Sequence, residues 1–246
     1  QVQKQMKTLI YQYWNGSRAS YTFGSEELFR SYAQRIGADY FLGDGSISTI
    51  CFHKRYFGAL LPLYSERFWE YDYVLYVDMD VVPVHECCID IFKHKTADLM
   101  MAEEPNQPEI RTNMVGNISS ENDKKWAKLI RRLWNIEVAI DTLQRPIVFN
   151  SGVVLYSQKA MRTLKKTLPS VLSYQMAMKL YGLPRFYCLD QNYLNAFLNN
   201  SDVNFEKLPS CWNSQVTRWT DLHGVAHMDD NRNSKTQFIH LQHGRD

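Results

Sequence analysis

No stretch of the 246-residue chain runs to about 18 uninterrupted apolar residues, so no segment reads as a transmembrane helix. The N-terminus lacks the basic-then-apolar pattern of a signal peptide. Cysteine is scarce and unpatterned. There are five, an odd number, with Cys87 and Cys88 adjacent and no Cys-x-x-Cys. That argues against a disulfide framework and a zinc-thiolate site and fits a reducing compartment, so we expect a cytoplasmic protein. An excess of one charge is also missing, the net charge being +2. A value so near zero supplies no whole-chain reason to bind nucleic acid or an anionic membrane, and neither is expected as a partner. Internal repeats, low-complexity segments and an early glycine-rich basic phosphate loop are all absent. Matches to the glycosylation sequon at Asn15, Asn117 and Asn199 are read as coincidence without a secretory signal.

What is present is an ordinary soluble composition, 45% hydrophobic and 22% charged, in a length suited to one large α/β domain. Aromatics stand out at 13%. They fill large cores, and they also stack on bases and sugar rings. Lys7–Trp14 reads as a first strand. Ser25 reads as the cap of a helix ended by Gly37, and residues 39–42 as a second strand. Residues 53–68 have helical periodicity, with Pro62 predicting a kink. Strands are expected over 72–80, 97–102, 147–156, 205–208 and 238–241. Helices are expected over 121–134, over 159–180 with a break at Pro169, and over 190–198. This alternation predicts an α/β fold, a mostly parallel twisted sheet with helices on both faces. Residues 209–236 are polar and without periodicity, and read as a functional segment able to order over a ligand as a lid.

The chemistry begins at Asp78-Met79-Asp80, directly after the β-forming run Tyr73-Val74-Leu75-Tyr76-Val77. Ligands of open α/β sheets bind at the carboxyl ends of strands, and residues two apart share a strand face. Asp78 and Asp80 can therefore converge on one hard cation, which relieves their mutual repulsion. Plain turn aspartates would look the same in isolation. Phe149-Asn150-Ser151-Gly152 puts an amide, a hydroxyl and a glycine inside an apolar strand, as close ligand approach or a β-bulge would require. Asp190-Gln191 opens a helix, where a carboxylate either caps the helix or faces a substrate. His240 and His243 sit at the end of a late strand, and imidazole is a suitable third ligand for a manganese-like ion. Tyr11-Gln12-Tyr13-Trp14-Asn15 ends the first strand, where aromatics either stack on a base or pack the core. Glu103 and Glu104 follow another strand end as weaker candidates for acceptor binding or a base.

Taken in order, Val74 to Asp80, Phe149 to Gly152, Asp190-Gln191 and Ile239-His240 resemble the GT-A glycosyltransferases. The nearest likeness is to the glycogenin-like enzymes of glycosyltransferase family 8 and their bacterial galactosyltransferase relatives. The resemblance covers nearly the whole chain. It implies a single GT-A, Rossmann-like domain over residues 1–246, with a nucleotide-binding part to about residue 105, a sugar and acceptor part after it, and a C-terminal active-site segment. It also implies transfer of a hexose-type sugar from a nucleotide sugar, a UDP-sugar above all, to a glycan or glycoprotein hydroxyl, with Mn²⁺ or Mg²⁺ as cofactor. Asp78, Asp80 and His240 would hold the metal, and Met79 would lie beside the donor. Asn150 and Ser151 would line the sugar pocket, with Asp190 and Gln191 beside the anomeric carbon. Tyr11, Gln12, Tyr13 and Trp14 would hold the base, and Lys54 or Arg55 would reach the donor phosphates. The order His240-Leu241-Gln242-His243-Gly244 departs from the family pattern, so His243 competes with His240. Under this reading the alternative compartment is the Golgi lumen, for a catalytic domain excised from a longer, anchored protein. Two other classes also use parts of this pattern: a metal-dependent nucleotidyltransferase or phosphohydrolase, and a non-catalytic carbohydrate-binding module.

Overall fold

The structure, a computed structural model, describes residues 6–44, 56–84, 87–104, 106–114, 117–199 and 202–242. In chain order the strands are β1 (Thr8–Tyr13), β2 (Asp39–Gly43), β3 (Tyr73–Val77), β4 (Val81–Pro83) and β5 (Leu99–Glu103). They continue with β6 (Phe149–Ser157), β7 (Phe205–Leu208), β8 (Ser214–Thr220), β9 (Ala226–Asp230) and β10 (Phe238–Gln242). The helices are α1 (Ser20–Ile36), α2 (Leu61–Tyr64), α3 (Gln107–Asn113) and α4 (Ser120–Trp134). Then come α5 (Gln158–Thr167), α6 (Val171–Leu180) and α7 (Asp190–Phe197).

The main sheet has the order β2-β1-β3-β6-β5-β7. β1 pairs parallel with β2 and β3, and β5 pairs parallel with β7. β6 is antiparallel to both of its neighbours, β3 and β5. The expected mostly parallel sheet is therefore present, with one reversed strand at its centre. That reversal positions the site. The carboxyl ends of β1, β3 and β5 and the amino end of β6 all reach one edge of the sheet.

Successive strand side chains enter opposite layers. Val74 and Tyr76 of β3 join Tyr11, Met101 and Tyr156 on one face, against Leu63 of α2, Trp126 of α4, Leu164 of α5, Tyr174 of α6 and Phe197 of α7. Leu75 and Val77 join Ile10, Met100 and Leu155 on the other, against Phe29 and Tyr32 of α1 and Phe238 of β10. Burial on both faces explains the near-continuous apolar runs of the central strands. Each fully buried Leu, Ile or Val contributes roughly 1.5–3 kcal/mol.

Several local expectations needed correction. α1 starts at Ser20, not beside Ser25. Ser25 lies inside the helix, its hydroxyl donating to the Val81 carbonyl at 2.6 Å and accepting from Gln12 Nε2 at 2.9 Å. The expected helix over 53–68 begins outside the described residues and is broken into short turns, with Pro62 at the start of α2. Proline lacks the N–H that a helix interior needs, so the first turn is where it is tolerated. The break at Pro169 falls between α5 and α6 as expected. β6 is one strand through Gly152, but its pairing with β5 is irregular there: Met101 faces Val154 and Glu103 faces Phe149, so residues 150–153 of β6 stand opposite Ala102 alone. The segment 209–236 is not an irregular lid. β8 and β9 form an antiparallel hairpin in a second sheet of order β4-β10-β8-β9. Among the described residues no helix is long and apolar enough to cross a membrane.

Candidate active site

β3 ends at Val77, and the chain turns at once into β4, with Val81 N donating to Asp78 O at 3.2 Å. The backbone pins this turn from both sides. Asp78 N donates to the Gly152 carbonyl at 2.8 Å, and Leu241 N donates to the Asp80 carbonyl at 2.9 Å. His240 arrives on β10, paired with Val81 of β4. One ligand atom from each of Asp78, Asp80 and His240 falls within 4.8 Å of the others. The two sheets thus meet at a cluster of two carboxylates and one imidazole.

His240 is 4% exposed, and its Nε2 stands 3.3 Å from Asp80 Oδ1. Its Nδ1 lies 3.0 Å from Asn213 Oδ1. A carboxamide oxygen only accepts, so Nδ1 carries a proton and donates to it. Burial acts to lower the imidazole pKa, but the charge and hydrogen bond of Asp80, then the charges of Asp78 and Glu104, outweigh it and hold it above its ordinary value. The negative field that retains a proton at Nε2 is the field a divalent cation would meet there. Oxygen ligands with one imidazole suit Mn²⁺ or Mg²⁺, so the donor set fits such an ion. Asp78 receives the Tyr76 hydroxyl on Oδ1 at 2.5 Å. Tyr76 is fully buried, and burial first, then the charges of Asp78 and Asp190, push its pKa well above 10.0. It therefore stays a neutral donor that orients Asp78.

Gly152 makes room for His240. A Cβ there would lie 2.4 Å from His240 Cε1 and 2.8 Å from Asn150 Oδ1. The glycine of the Asn-Ser-Gly run thus serves both expectations: it lies in the irregular stretch of β6, where Asn150 Oδ1 accepts from Gly152 N, and it admits a side chain of the second sheet.

A polar network runs from the histidine into the protein. Asn213 Nδ2 donates to Asn150 Oδ1 at 2.9 Å, and Gly152 N donates to the same oxygen at 2.8 Å. Asn150 Nδ2 donates to Glu104 Oε1 at 2.7 Å, and Gln191 Nε2 reaches that oxygen at 3.3 Å. Gln242 Nε2 stands 3.5 Å from it. Glu104 is 4% exposed, and the amides of Asn150, Gln191 and Gln242 gather on its Oε1, hydrogen bonds that a buried carboxylate requires. Glu103 points the other way and pairs with Lys207 at the surface. Strand alternation separates two adjacent glutamates that the sequence could not tell apart.

A cleft of about 360 Å³ opens beside this cluster. Its lining includes Tyr13, Trp14, Asn15 and Tyr21 together with Asp78, Met79, Asp80, Ser151 and Asp190. Trp14 is fixed by Nε1 donating to the Ser17 carbonyl at 3.0 Å. Tyr13 packs so closely on Gly58 that a Cβ there would sit 2.5 Å from its ring. Tyr11 and Gln12 do not line the cleft. Tyr11 is buried in the core against Phe41, Phe68 and Tyr76. Gln12 is buried as a strut, its Nε2 on Ser25 and its Oε1 accepting from Tyr40 at 2.8 Å. Asn150 lies beneath the cluster at 3% exposure, and Gln191 is part of the Glu104 network. Asp190 is in the first turn of α7, where its Oδ1 accepts from Gln191 N at 2.8 Å. Lys54, Arg55 and His243 lie outside the described residues. Sequence reasoning missed Asn213, which sits in an aperiodic polar stretch with no local signal. The strand-end position of Glu104 was the signal that marked it.

No protein-family model and no curated protein sequence matches the chain. Solved structures do resemble it. Mouse xyloside xylosyltransferase 1 in its apo form is similar with a TM-score of 0.54 and 12% identity over 97% of this chain and 98% of its own. An active-site mutant of LgtC is similar with a TM-score of 0.51 and 14% identity over 96% of this chain and 87% of its own. WbbM, a bifunctional glycosyltransferase, is similar with a TM-score of 0.54 and 11% identity over 87% of this chain, which spans 40% of the WbbM chain. The architecture that brings Asp78, Asp80 and His240 to one sheet edge is thus shared with solved glycosyltransferases, and the chain has the GT-A fold.

Proposed function

We propose that the chain is a metal-dependent glycosyltransferase that moves a hexose-type sugar from a UDP-sugar to a hydroxyl of a glycan acceptor. The observation that carries this reading is the Asp78, Asp80 and His240 cluster beside an aromatic-walled cleft, at the active edge of a GT-A fold. Asp78, Asp80 and His240 would hold the cation, with Tyr76 fixing the orientation of Asp78 and Asn213 that of His240. When bound, a divalent ion neutralises charge developing on a leaving diphosphate. Tyr13 and Trp14 offer ring faces and edges for the base, and Ser151 offers a hydroxyl on the sugar side. Asp190 faces the cleft with a carboxylate that either stabilises positive charge at the anomeric carbon or takes the acceptor proton. Gln191, held by Glu104 and Asn150, is ready to orient the sugar. Met79 is among the residues that line the cleft.

The test is a screen of nucleotide sugars for Mn²⁺-dependent hydrolysis, run on the wild-type chain and on Asp80→Ala. Turnover that needs Mn²⁺ and vanishes in a folded Asp80→Ala protein is the expected result. Turnover indifferent to the metal, or retained in the variant, removes the central claim.

A further inference from the structure

One face of the second sheet starts at the metal-ligand candidate, where His240 and Gln215 are buried, and becomes exposed toward the hairpin. His240 pairs in parallel with Gln215, and Gln242 with Thr217, so these four side chains share a face. Thr217 pairs with Asp229 and Trp219 with His227, which extends that face across the hairpin. Thr217 Oγ1 donates to Gln242 Oε1 at 2.6 Å, and Gln242 in turn reaches Glu104. From Gln215 to Trp219 the face advances by four residues, roughly 13 Å at ~3.3 Å per residue.

At its outer end Trp219 and His227 stack with ring centroids 4.4 Å apart and planes 19° from parallel. Each ring is tied through one nitrogen to a carboxylate. Trp219 Nε1 donates to Asp229 Oδ2 at 2.9 Å, and His227 Nε2 lies 2.8 Å from Asp221 Oδ2. The hairpin tip is anchored too: Leu222 N donates to the Asn113 carbonyl at 2.9 Å, and Asp221 bridges Met114. The rings are therefore held in place before anything binds, which limits the ordering cost of association.

We propose that this face is the acceptor platform, and that it selects a neutral oligosaccharide rather than a single sugar. The inference rests on the transferase reading above and names its acceptor class. The faces of aromatic rings carry negative charge density and attract the C–H face of a pyranose. Asp229 and Asp221, the latter already accepting the His223 and Val225 N–H groups, put negative charge beside the stack that would repel acidic sugars. An acceptor whose reactive hydroxyl enters beside Asp190 would reach the stack only with a sugar further along its chain.

The experiment is binding of the wild-type chain to an array of immobilised neutral and acidic oligosaccharides two to six sugars long. The variants Trp219→Ala, Trp219→Phe and Met228→Ala are run beside it. Met228 is 61% exposed on the opposite face of the same hairpin, so it reports on hairpin integrity alone. We expect wild-type binding to neutral oligosaccharides that lengthens in preference beyond the disaccharide. Trp219→Ala should weaken it by about tenfold or more, as truncation of an aromatic anchor does, while Trp219→Phe and Met228→Ala keep most of it. If Trp219→Ala fails to fold, His227→Ala carries the same expectation. Absence of wild-type binding, equal binding by Trp219→Ala, or equal loss in Met228→Ala overturns the platform. Nucleotide-sugar hydrolysis by the wild-type chain, measured in parallel, tests the transferase reading separately.

Discussion

At the scale of single residues, the site depends on close approaches that leave no slack. A methyl group at Gly152 would collide with the His240 ring, and His240 is held in turn by Asn213. Gly152→Ala should therefore displace the imidazole. Overpacking of this kind costs about 1–3 kcal/mol, so the variant is expected to fold with a lowered melting temperature and weakened Mn²⁺ binding. Calorimetric titration with Mn²⁺ beside thermal unfolding checks both effects. Asn213→Ala probes the same ligand from the other side without a clash. It removes the acceptor for Nδ1–H, and loss of such an outer partner lowers metal affinity by about 10–100-fold. Asn213→Asp keeps an accepting oxygen and should restore much of the affinity. A titration in which Asn213→Ala binds Mn²⁺ like the wild type would show that the histidine needs no such support.

At the scale of elements, α3 and α4 are clamped together by a buried ion pair. Arg111 Nη1 donates to Asp123 Oδ1 at 2.8 Å, with both side chains about 5% exposed or less, and the Tyr187 hydroxyl donates to the same oxygen at 2.8 Å. α4 is well founded locally, with Ser119 accepting from Asn122 N at its start and Asn135 in the left-handed region at its end. What the sequence pattern of α4 hides is that Asp123 faces inward. Removing one partner of a buried pair strands the other charge, so Asp123→Ala should cost about 3–5 kcal/mol. Urea unfolding measures this, and a loss below about 1 kcal/mol, the worth of a surface pair, would show that solvent reaches Arg111.

At the scale of the whole molecule, the candidate metal ligands come from both sheets, two from the turn after β3 and one from β10. An ion bound there ties the hairpin sheet to the main sheet. Binding only to the folded state at 100 times the dissociation constant stabilises by about 2.7 kcal/mol. For a chain of this size that corresponds to a melting-temperature rise of about 5–10 °C. Under the proposed function, Mn²⁺ should produce this rise in the wild type, a chelator should reverse it, and Asp80→Ala should show none. A thermal shift of equal size in Asp80→Ala would mean the ion binds elsewhere.

The sequence by itself determined the local repertoire. Periodicity placed α4 and α7, Pro169 marked the α5–α6 break, and the apolar run before Asp78 marked a strand buried on both faces, because these signals are carried by neighbours in the chain. The order of motifs was legible for the same reason, and so was the GT-A architecture that their order resembles. Tertiary structure alone decided the direction of β6, which brings Asn150, Ser151 and Gly152 to the edge where Asp78 emerges. It also decided which residues of one strand reach the cleft. Tyr13 does and Tyr11, two positions deeper on the same face, is core. Glu104 turns inward while Glu103 meets Lys207, and Asn213 meets His240 across 27 positions. Strand direction, register and depth are set by burial against distant elements, and a sequence window holds only the residues on one side of that contact.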